Sequence, residues 1–350
     1  MRNDFVSVTI VTWNSGQFIK RCLESVLAQK YDRKEIVIVD NNSTDGTLDI
    51  LEQFEDRCRI IYNNDNIGFA AAQNQAMAAT RGDWVMTLNP DVLLLPGFIQ
   101  ALVEAGNIEP RIGTVCGKLL TIKSSFDLPE QPLVDSTGIY FTPMLRHLDR
   151  GSQEVDNGHY LRNEYVFGAT AAAALYRRQM IEDIAVDGDF FDPDFFVYRE
   201  DADVAWRAQL LGWRCMYTPT ARGYHVRKVL PGNRRELSDA INMHSVKNRF
   251  LMRLKNITGP VYRKHWASIT ARDLIVLGCC LLREQSSLKG LWYVARNWRR
   301  AMNKRTEIMK RRRVTDEYMA SWFSYTPVSK PAPAARVSAV PRQQKVVRGR

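Results

Sequence analysis

The sequence has few cysteines, and none of them has the spacing of a metal site. Six cysteines are scattered over 350 residues without a C-x-x-C pair. Small disulfide-stabilised domains are far denser in cysteine, and structural zinc modules use paired ligands. The composition therefore excludes both classes and fits a reducing compartment.

An export signal and a long apolar run are also missing. The chain begins Met-Arg-Asn-Asp and enters a strand-like segment at 5–11, without the apolar core and small-residue cleavage site of a signal peptide. The longest apolar stretch near the C-terminus, 274–282, is about half the length that a spanning helix needs. We therefore expect a cytoplasmic protein, peripheral at the cytoplasmic face of the membrane, without integral insertion.

Charge is distributed unevenly along the chain. From Asn256 onward there are 20 Lys and Arg against 5 Asp and Glu, net +15, whereas residues 1–255 carry 29 against 33, net −4. Opposite net charges attract different ligands and surfaces. The two regions are expected to have different partners.

Short β-branched segments alternate with segments of helical periodicity over the first 90 residues. The strand-like segments are 6–11, 35–39, 59–62 and 84–88, and polar clusters follow each of them. This alternation predicts an α/β fold with a doubly wound, mostly parallel sheet, in which ligands bind beyond the carboxyl ends of the strands.

Later segments differ in composition. Residues 126–165 are rich in Pro, Gly and aromatic residues, which predicts a long, acceptor-facing excursion rather than a new domain. Helical character runs from about 267 to 313. We predict a catalytic domain at 1–255, a helical basic extension at 256–325 and a disordered basic tail at 326–350.

The ends of the first two predicted strands carry candidates for nucleotide binding. Thr12, Asn14 and Asp40 are polar, and an Asp can accept hydrogen bonds from ribose hydroxyls or a base N–H. The alternative is a helix-capping turn, with Ser43 as the N-cap and Asp45 in the first turn. Further along, the segment 66–70 precedes a small-residue helix whose N-terminus could meet an anion.

A candidate metal ligand follows the fourth predicted strand. Asp91, in Asn89-Pro90-Asp91, could anchor Mg²⁺ or Mn²⁺ between the protein and a diphosphate. His225, at the end of a strand-like segment, could add an imidazole ligand. A single histidine is, however, more often a structural residue.

Three carboxylates stand within four residues behind an aromatic run that resembles a buried strand. These are Glu200, Asp201 and Asp203, at the start of a predicted helix. Acidic residues are common at helix N-termini, so capping is the alternative to a catalytic base. Their spacing puts Glu200 and Asp203 about one turn apart, so that at most one or two of the three can act directly.

The motifs described above, with others that follow them in order along residues 5–255, resemble those of family 2 glycosyltransferases, in particular of the rhamnosyltransferase-like branch. Each motif alone is a weak signal, but the ordered set is specific to the family. The matching segments are Val8–Asn14, Ile38–Thr47, Asn66–Asn74, Leu88–Asp91, Gly168-Ala169, Phe191–Phe196, Glu200-Asp201 and Gly212-Trp213 leading to His225.

The resemblance implies a GT-A fold, a divalent metal (Mg²⁺ or Mn²⁺) and an inverting mechanism. It assigns nucleotide binding to Asp40, metal binding to Asp91 and His225, and the catalytic base to Asp201, with Glu200 and Asp203 as secondary candidates. The residues expected to bind the donor are Thr12, Asn14, Asp40, Asn42, Gly68, Asn74 and Asn89.

Some positions depart from the family pattern. Asn89 replaces the first Asp of the Asp-x-Asp motif, as is usual in the rhamnosyltransferase-like branch, and 226–231 replaces an expected Ser-rich stretch. The Gln-x-x-Arg-Trp signature of processive synthases is absent. The resemblance therefore favours transfer of a single sugar, with dTDP-rhamnose as the leading donor and a lipid-linked glycan of cell-surface polysaccharide assembly as the acceptor.

Two other functions compete with this interpretation. A nucleotidyltransferase would begin with a Gly-rich, Lys-bearing loop, which 12–16 is not. A non-catalytic membrane- or nucleic-acid-binding protein on a GT-A scaffold would use the basic C-terminus. Residues 289–313 have the periodicity of an amphipathic helix, which predicts binding to an anionic membrane surface; packing on the catalytic domain and nucleic-acid binding are the alternatives.

Overall fold

The first four predicted strands form one half of a sheet. In the computed structural model, which describes residues 4–227 and 238–324, β1 (Val6–Thr12) pairs in parallel with β2 (Lys34–Asp40) and β4 (Trp84–Leu88). Strand β2 pairs in parallel with β3 (Arg59–Tyr62). The helices between them are α1 (Ile19–Leu27), α2 (Thr47–Glu52) and α3 (Phe69–Ala78).

The other half of the sheet mixes the two directions. It contains β5 (Val92–Leu94), β6 (Ile112–Thr121), β7 (Val134–Ser136), β10 (Glu164–Val166), β11 (Ala173–Arg177) and β12 (Arg214–His225). Strand β11 runs antiparallel to β4 and β6, whereas β12 runs parallel to β6. The order is β10-β12-β6-β11-β4-β1-β2-β3, with β5 on β12 and β7 on β6. The prediction of a doubly wound, mostly parallel sheet is confirmed.

The segment predicted as an excursion contributes to this sheet and to one wall of a cavity. Strand β7 lies within it and pairs with β6, and a separate hairpin is formed by β8 (Ile139–Phe141) and β9 (His147–Asp149). The helices between the strands of this second half of the sheet lie outside the excursion; they are α4 (Phe98–Gly106), α5 (Arg178–Ile184) and α6 (Glu200–Leu210).

Within residues 238–324, five α-helices follow the sheet, and they begin earlier than the sequence periodicity predicts. They are α7 (Asp239–Asn256), α8 (Gly259–Leu282), α9 (Leu288–Arg296), α10 (Trp298–Lys310) and α11 (Asp316–Trp322). Helix α7 packs against α6, α9 and α10. The predicted tail at 326–350 lies outside the described residues.

The apolar stripe predicted over 289–313 packs partly inside the protein. Val294, Ala301 and Ile308 are buried, whereas Trp292 and Trp298 are exposed. The buried part of the stripe therefore packs on the rest of the protein, which was the alternative to membrane binding.

Buried ion pairs join α7 and α10 to the acidic residues between 192 and 203. Lys304 Nζ lies 2.6 Å from Asp192 and 2.8 Å from Asp194, and Lys255 Nζ lies 2.5 Å from Asp192 and 3.0 Å from Asp203. All five side chains are buried. Burial alone would raise the pKa of Asp192, but the charges of Lys255 and Lys304 hold it well below its usual range. Part of the charge asymmetry is thus neutralised within the fold.

Helix α8 is longer than the apolar stretch seen in the sequence. Among the described helices it alone is long and apolar enough, by length and composition, to cross a membrane. One stripe of the helix is buried and packs on the protein. Its exposed large hydrophobic residues are Tyr262, Trp266, Leu274, Ile275, Leu281 and Leu282.

We predict that Lys304→Ala destabilises the protein strongly, because it leaves Asp192 and Asp194 buried with less compensating charge. Breaking a buried pair typically costs about 3–5 kcal/mol. Lys310→Ala, at an exposed position of the same helix, should change stability by no more than about 0.5 kcal/mol. Urea unfolding measures both, and equal midpoints for the two variants would contradict this role of Lys304.

Candidate active site

Five of the predicted site residues meet at one cavity of about 800 Å³. They come from distant parts of the chain: Asn89 and Asp91 follow β4, Glu200 and Asp201 begin α6, and His225 ends β12. The cavity lies where β4 ends, at the carboxyl edge of the parallel strands, as expected for an α/β sheet.

Strand pairing brings His225 to Asp91. The end of β12 pairs antiparallel with β5, so that His225 stands opposite Val92, and the N–H of Val226 donates to the carbonyl of Asp91 at 3.0 Å. As a result, His225 Nε2 lies 3.5 Å from Asp91 Oδ1. The two predicted metal ligands are thus adjacent in the fold.

A second carboxylate orients the His225 ring. His225 Nδ1 lies 2.8 Å from Asp135 Oδ2, and Asp135 is also paired with Arg227 at 3.1 Å. Although burial lowers it, the charges of Asp135 and Asp91 raise the pKa of His225 to about 10. These charges favour the protonated ring, and coordination of a metal through Nε2 would require loss of that proton.

The Asp91–His225 pair fits a divalent cation that has few protein ligands. Within residues 4–227 and 238–324, no group of three or more His, Cys, Asp or Glu side chains is arranged around a metal position. Asp91 Oδ1 is, however, buried without a hydrogen bond, its nearest charged neighbour being His225 Nε2 at 3.5 Å, and the far side of the imidazole is held by Asp135. Mg²⁺ and Mn²⁺ can complete such a site with diphosphate oxygens and water.

The aromatic run before the three carboxylates is not a strand, contrary to its sequence pattern. Pro193–Phe195 form a 3-10 turn, and Phe196, Tyr198 and Arg199 have positive φ values of 63°, 69° and 70°. A strand cannot accommodate left-handed residues in succession. The turn sets the start of α6 so that Glu200 and Asp201 face the cavity.

The carboxylate of Asp201 is held by backbone N–H groups. Oδ1 accepts from Ala202 at 2.7 Å and Oδ2 from Ala171 at 3.4 Å. Burial and, next, the charge of Asp149 raise the pKa of Asp201 to about 6. A carboxylate with this pKa is ionised at neutral pH and basic enough to accept a proton.

The neighbouring Glu200 behaves differently. Burial, followed by the charge of Asp201, raises the pKa of Glu200 well above its ordinary value, so that Glu200 is protonated when Asp201 is ionised. Asp203 points away from the cavity into the buried ion-pair network, where Arg207 lies 2.9 Å from it. The structure thus separates the three carboxylates into three environments.

The predicted nucleotide-binding residues form a network at the ends of β1 and β2. Thr12 Oγ1 donates to Asp40 Oδ1 at 2.7 Å, and Ser43 donates to Asp40 through both its N–H and its hydroxyl. Asn14 Oδ1 accepts from the N–H of Thr44 at 2.8 Å. Ser43 does not cap α2, which begins at Thr47. The capping alternative therefore does not account for Asp40 and Ser43.

The other three residues expected at the donor have different surroundings. Asn42 is exposed at a left-handed position with φ 61°. Gly68 has φ 86°, and a Cβ there would lie 2.5 Å from the ring of Phe196, so only glycine fits. The side-chain amide of Asn74 donates hydrogen bonds to Asp189 at 3.0 Å and to the carbonyl of Phe191 at 2.7 Å, and so holds the loop at 189–191 in place.

A cationic wall of the cavity was not predicted from the sequence. Burial and the charges of Arg199, Arg227, Arg146 and Arg249 hold the pKa of His147 well below its usual value. These residues and their partners Asp135 and Asp149 are separated widely in the chain. The one sequence signal for this wall was the prediction that residues 126–165 face the acceptor. No local motif identified the individual residues of the wall.

Two solved structures share the fold. The crystal structure of GalNAc-T7 with UDP, GalNAc and Mn²⁺ has a TM-score of 0.56 at 14% identity, over 72% of this chain and 48% of that chain. The structure of S. aureus TarS 1–349 has a TM-score of 0.53 at 15% identity, over 91% and 83%. The fold is therefore that of a GT-A glycosyltransferase.

The sequence assigns the chain to a family within that class. The profile of Glycosyl transferase family 2 matches residues 7–185, and the chain belongs to this family. N-acetylglucosaminyl-diphospho-decaprenol L-rhamnosyltransferase of Mycobacterium tuberculosis is 28% identical over 242 residues, 63% of this chain and 76% of the relative. Poly-beta-1,6-N-acetyl-D-glucosamine synthase of Staphylococcus aureus is 24% identical over 218 residues, 62% of this chain and 48% of the relative.

We predict that the activity falls on the acid side with an apparent pKa of about 6, because a protonated Asp201 could not act as the base that the sequence predicts. Above this pH the carboxylate is ionised and the rate is highest; below it, kcat/KM should fall roughly tenfold per pH unit. The profile is measured at saturating metal, with circular dichroism as the control for folding. A flat profile between pH 5 and 7 would exclude this titration.

Proposed function

We propose that the protein is an inverting, metal-dependent glycosyltransferase that moves one sugar from a nucleotide-diphosphate donor to an acceptor hydroxyl. The observation that carries the proposal is the shared cavity: Asp201, with a pKa near 6, and the Asp91–His225 pair line the same space. The proposed catalytic domain comprises residues 1–255.

In the proposed mechanism Asp201 takes the proton of the acceptor hydroxyl as its oxygen attacks the anomeric carbon. The C–O bond to the diphosphate breaks as the new glycosidic bond forms, and the configuration inverts. The N–H groups of Ala171 and Ala202 hold the Asp201 carboxylate in place. A divalent cation bound by Asp91 and His225 would stabilise the charge of the departing diphosphate.

As the donor we propose a deoxysugar nucleotide, with dTDP-rhamnose first. The Asn89-Pro90-Asp91 segment and the likeness to a protein named as an L-rhamnosyltransferase support it. Family membership does not fix a substrate. A panel of nucleotide sugars tests the choice by release of nucleoside diphosphate, and turnover with UDP-hexoses alone would reject rhamnose while leaving glycosyl transfer intact.

As the acceptor we propose a lipid-linked glycan in cell-surface polysaccharide assembly, reached from the cytoplasmic face of an anionic membrane. Two observations support this choice. The name of the relative from Mycobacterium tuberculosis includes a diphospho-decaprenol-linked sugar. Helix α8, which precedes the basic helices α9 and α10, exposes several large apolar residues. Tryptophan and basic residues together favour the membrane interface. Flotation with anionic and neutral liposomes tests this, and failure to bind anionic liposomes at low salt would reject it.

We expect Asp201→Asn to lower kcat by at least about 100-fold, because an amide cannot accept the acceptor proton. Donor binding should remain close to normal, since Asp201 acts on the acceptor side. Release of nucleoside diphosphate and donor titration measure the two effects. Near-normal turnover of the variant would transfer the assignment to Glu200, and Asp203→Asn serves as a control for a buried carboxylate outside the cavity.

We expect activity to require Mg²⁺ or Mn²⁺ and to stop in EDTA. Asp91→Ala should remove metal-dependent donor binding, and Asp135→Asn should weaken metal affinity by about 10–100-fold because the His225 ring loses its orienting partner. Calorimetric titration of Mn²⁺ in the presence of nucleoside diphosphate measures both. Full activity in EDTA would eliminate the metal from the mechanism.

A further inference from the structure

Two arginines from distant parts of the chain belong to the wall of the cavity. Arg146 lies between β8 and β9, and Arg272 lies on α8; both line the same cavity as Asp91 and Asp201. Burial and, next, the positive charge of Arg272 lower the pKa of Arg146. The two positive charges therefore act on each other within the cavity that both side chains line.

Neither arginine is neutralised by a carboxylate among residues 4–227 and 238–324. No ion pair joins either side chain to an acidic residue there, and Arg272 Nε is buried without a hydrogen-bond partner. Asp273, the next residue along α8, forms ion pairs with Arg249 at 3.3 Å and with Arg253 at 2.6 Å instead.

The other arginines of this wall do have partners. Arg227 is paired with Asp135 and Asp149, and Arg199 contacts His147 and Ser245. Arg272 thus has a buried N–H donor without a partner, and Arg146 forms no ion pair within residues 4–227 and 238–324. Guanidinium groups that line one cavity without a carboxylate partner match the oxygens of a phosphate or diphosphate.

Besides Arg272, helix α8 contributes apolar residues to the cavity wall and to the protein surface next to it. Val276 lines the cavity on the same helix as Arg272, while Leu274 and Ile275 are exposed on its outer side. A molecule that carries a diphosphate next to a hydrocarbon chain would find a cationic contact inside the cavity and an apolar surface outside it. The donor diphosphate, in contrast, is expected at Asp91 and His225.

We propose that Arg146 and Arg272 form a binding site for the diphosphate of a lipid-linked acceptor. The inference rests on the proposed function, since it takes the acceptor side of that cavity. Holding the diphosphate here would fix the acceptor sugar in the cavity, so that one hydroxyl can reach Asp201. Arg146 and Arg272 are binding residues in this scheme and do not take part in bond formation.

Binding of farnesyl diphosphate tests the site without any need for turnover. We expect the full-length wild-type protein, saturated with nucleoside diphosphate and Mn²⁺, to bind farnesyl diphosphate. Arg146→Gln and Arg272→Gln should each raise its Kd by roughly tenfold or more, because each loses charge-assisted hydrogen bonds. Lys264→Gln, at an exposed position of α8 outside the cavity, is the matched control and should leave the Kd unchanged.

Farnesol and competition with nucleotide identify which group is recognised. Farnesol should bind equally to all variants, because it lacks the diphosphate. Wild-type protein that does not bind farnesyl diphosphate, or variants with unchanged Kd, would overturn the site. Loss of binding only on addition of nucleoside diphosphate would assign the arginines to the donor and also overturn it. Thermal melting checks that the variants fold. The glutamine variants should be no less stable than the wild type, because each substitution removes one of two like charges.

The failure of this site can be told apart from the failure of the proposed function. Wild-type protein that binds farnesyl diphosphate through the arginines but releases no nucleoside diphosphate from any donor would refute catalysis and keep the site. An active enzyme whose KM for a diphosphate-linked acceptor is the same in Arg272→Gln would refute the site and keep catalysis. A neutral alkyl glycoside acceptor should have the same KM with wild type and variant.

Discussion

The pairing of β12 with β5 is the constraint on which the candidate site depends. It runs antiparallel over Gly223–His225, and it sets His225 beside Asp91 although 133 residues separate the two in the chain. Pairing of β12 with β6 then brings the β6–β7 unit close enough for Asp135 to reach the far nitrogen of the ring. Backbone hydrogen bonds of one strand thus decide the position of both proposed metal ligands and of the residue that orients one of them.

Electrostatics divide the cavity into two regions with different chemistry. On one side, burial and mutual repulsion separate the protonation of Glu200 and Asp201, which leaves one carboxylate able to accept a proton near neutral pH. On the other side, guanidinium groups surround a neutral His147. A reaction between an anionic donor and an acceptor that itself bears a diphosphate would use both regions.

The opposite net charges of the two parts of the chain have an internal and an external consequence. Lys304 forms buried pairs with Asp192 and Asp194 and so holds α10 against the part of the chain before residue 256. Lys255, which pairs with Asp192 and Asp203, belongs to that part itself. Trp292 and Trp298 remain exposed on the outside. The periodicity of 289–313 is compatible with either use, because one apolar stripe can meet a protein surface or a membrane equally well.

The sequence by itself determined the four parallel strands, the strand-end location of the polar motifs and the family, because β-branched runs and ordered motifs are local properties. It also predicted a shared site for Asp91, Asp201 and His225, and these three residues line one cavity. It misjudged the aromatic run before Glu200, since the left-handed residues at Phe196, Tyr198 and Arg199 depend on packing that no pattern encodes. Only the tertiary structure decided the contact of Asp135 with His225, the withdrawal of Asp203 into a buried ion pair with Lys255, and the presence of Arg146 and Arg272 in one cavity. Those arrangements bring together residues far apart in the chain, and their geometry is fixed by strand register and helix packing.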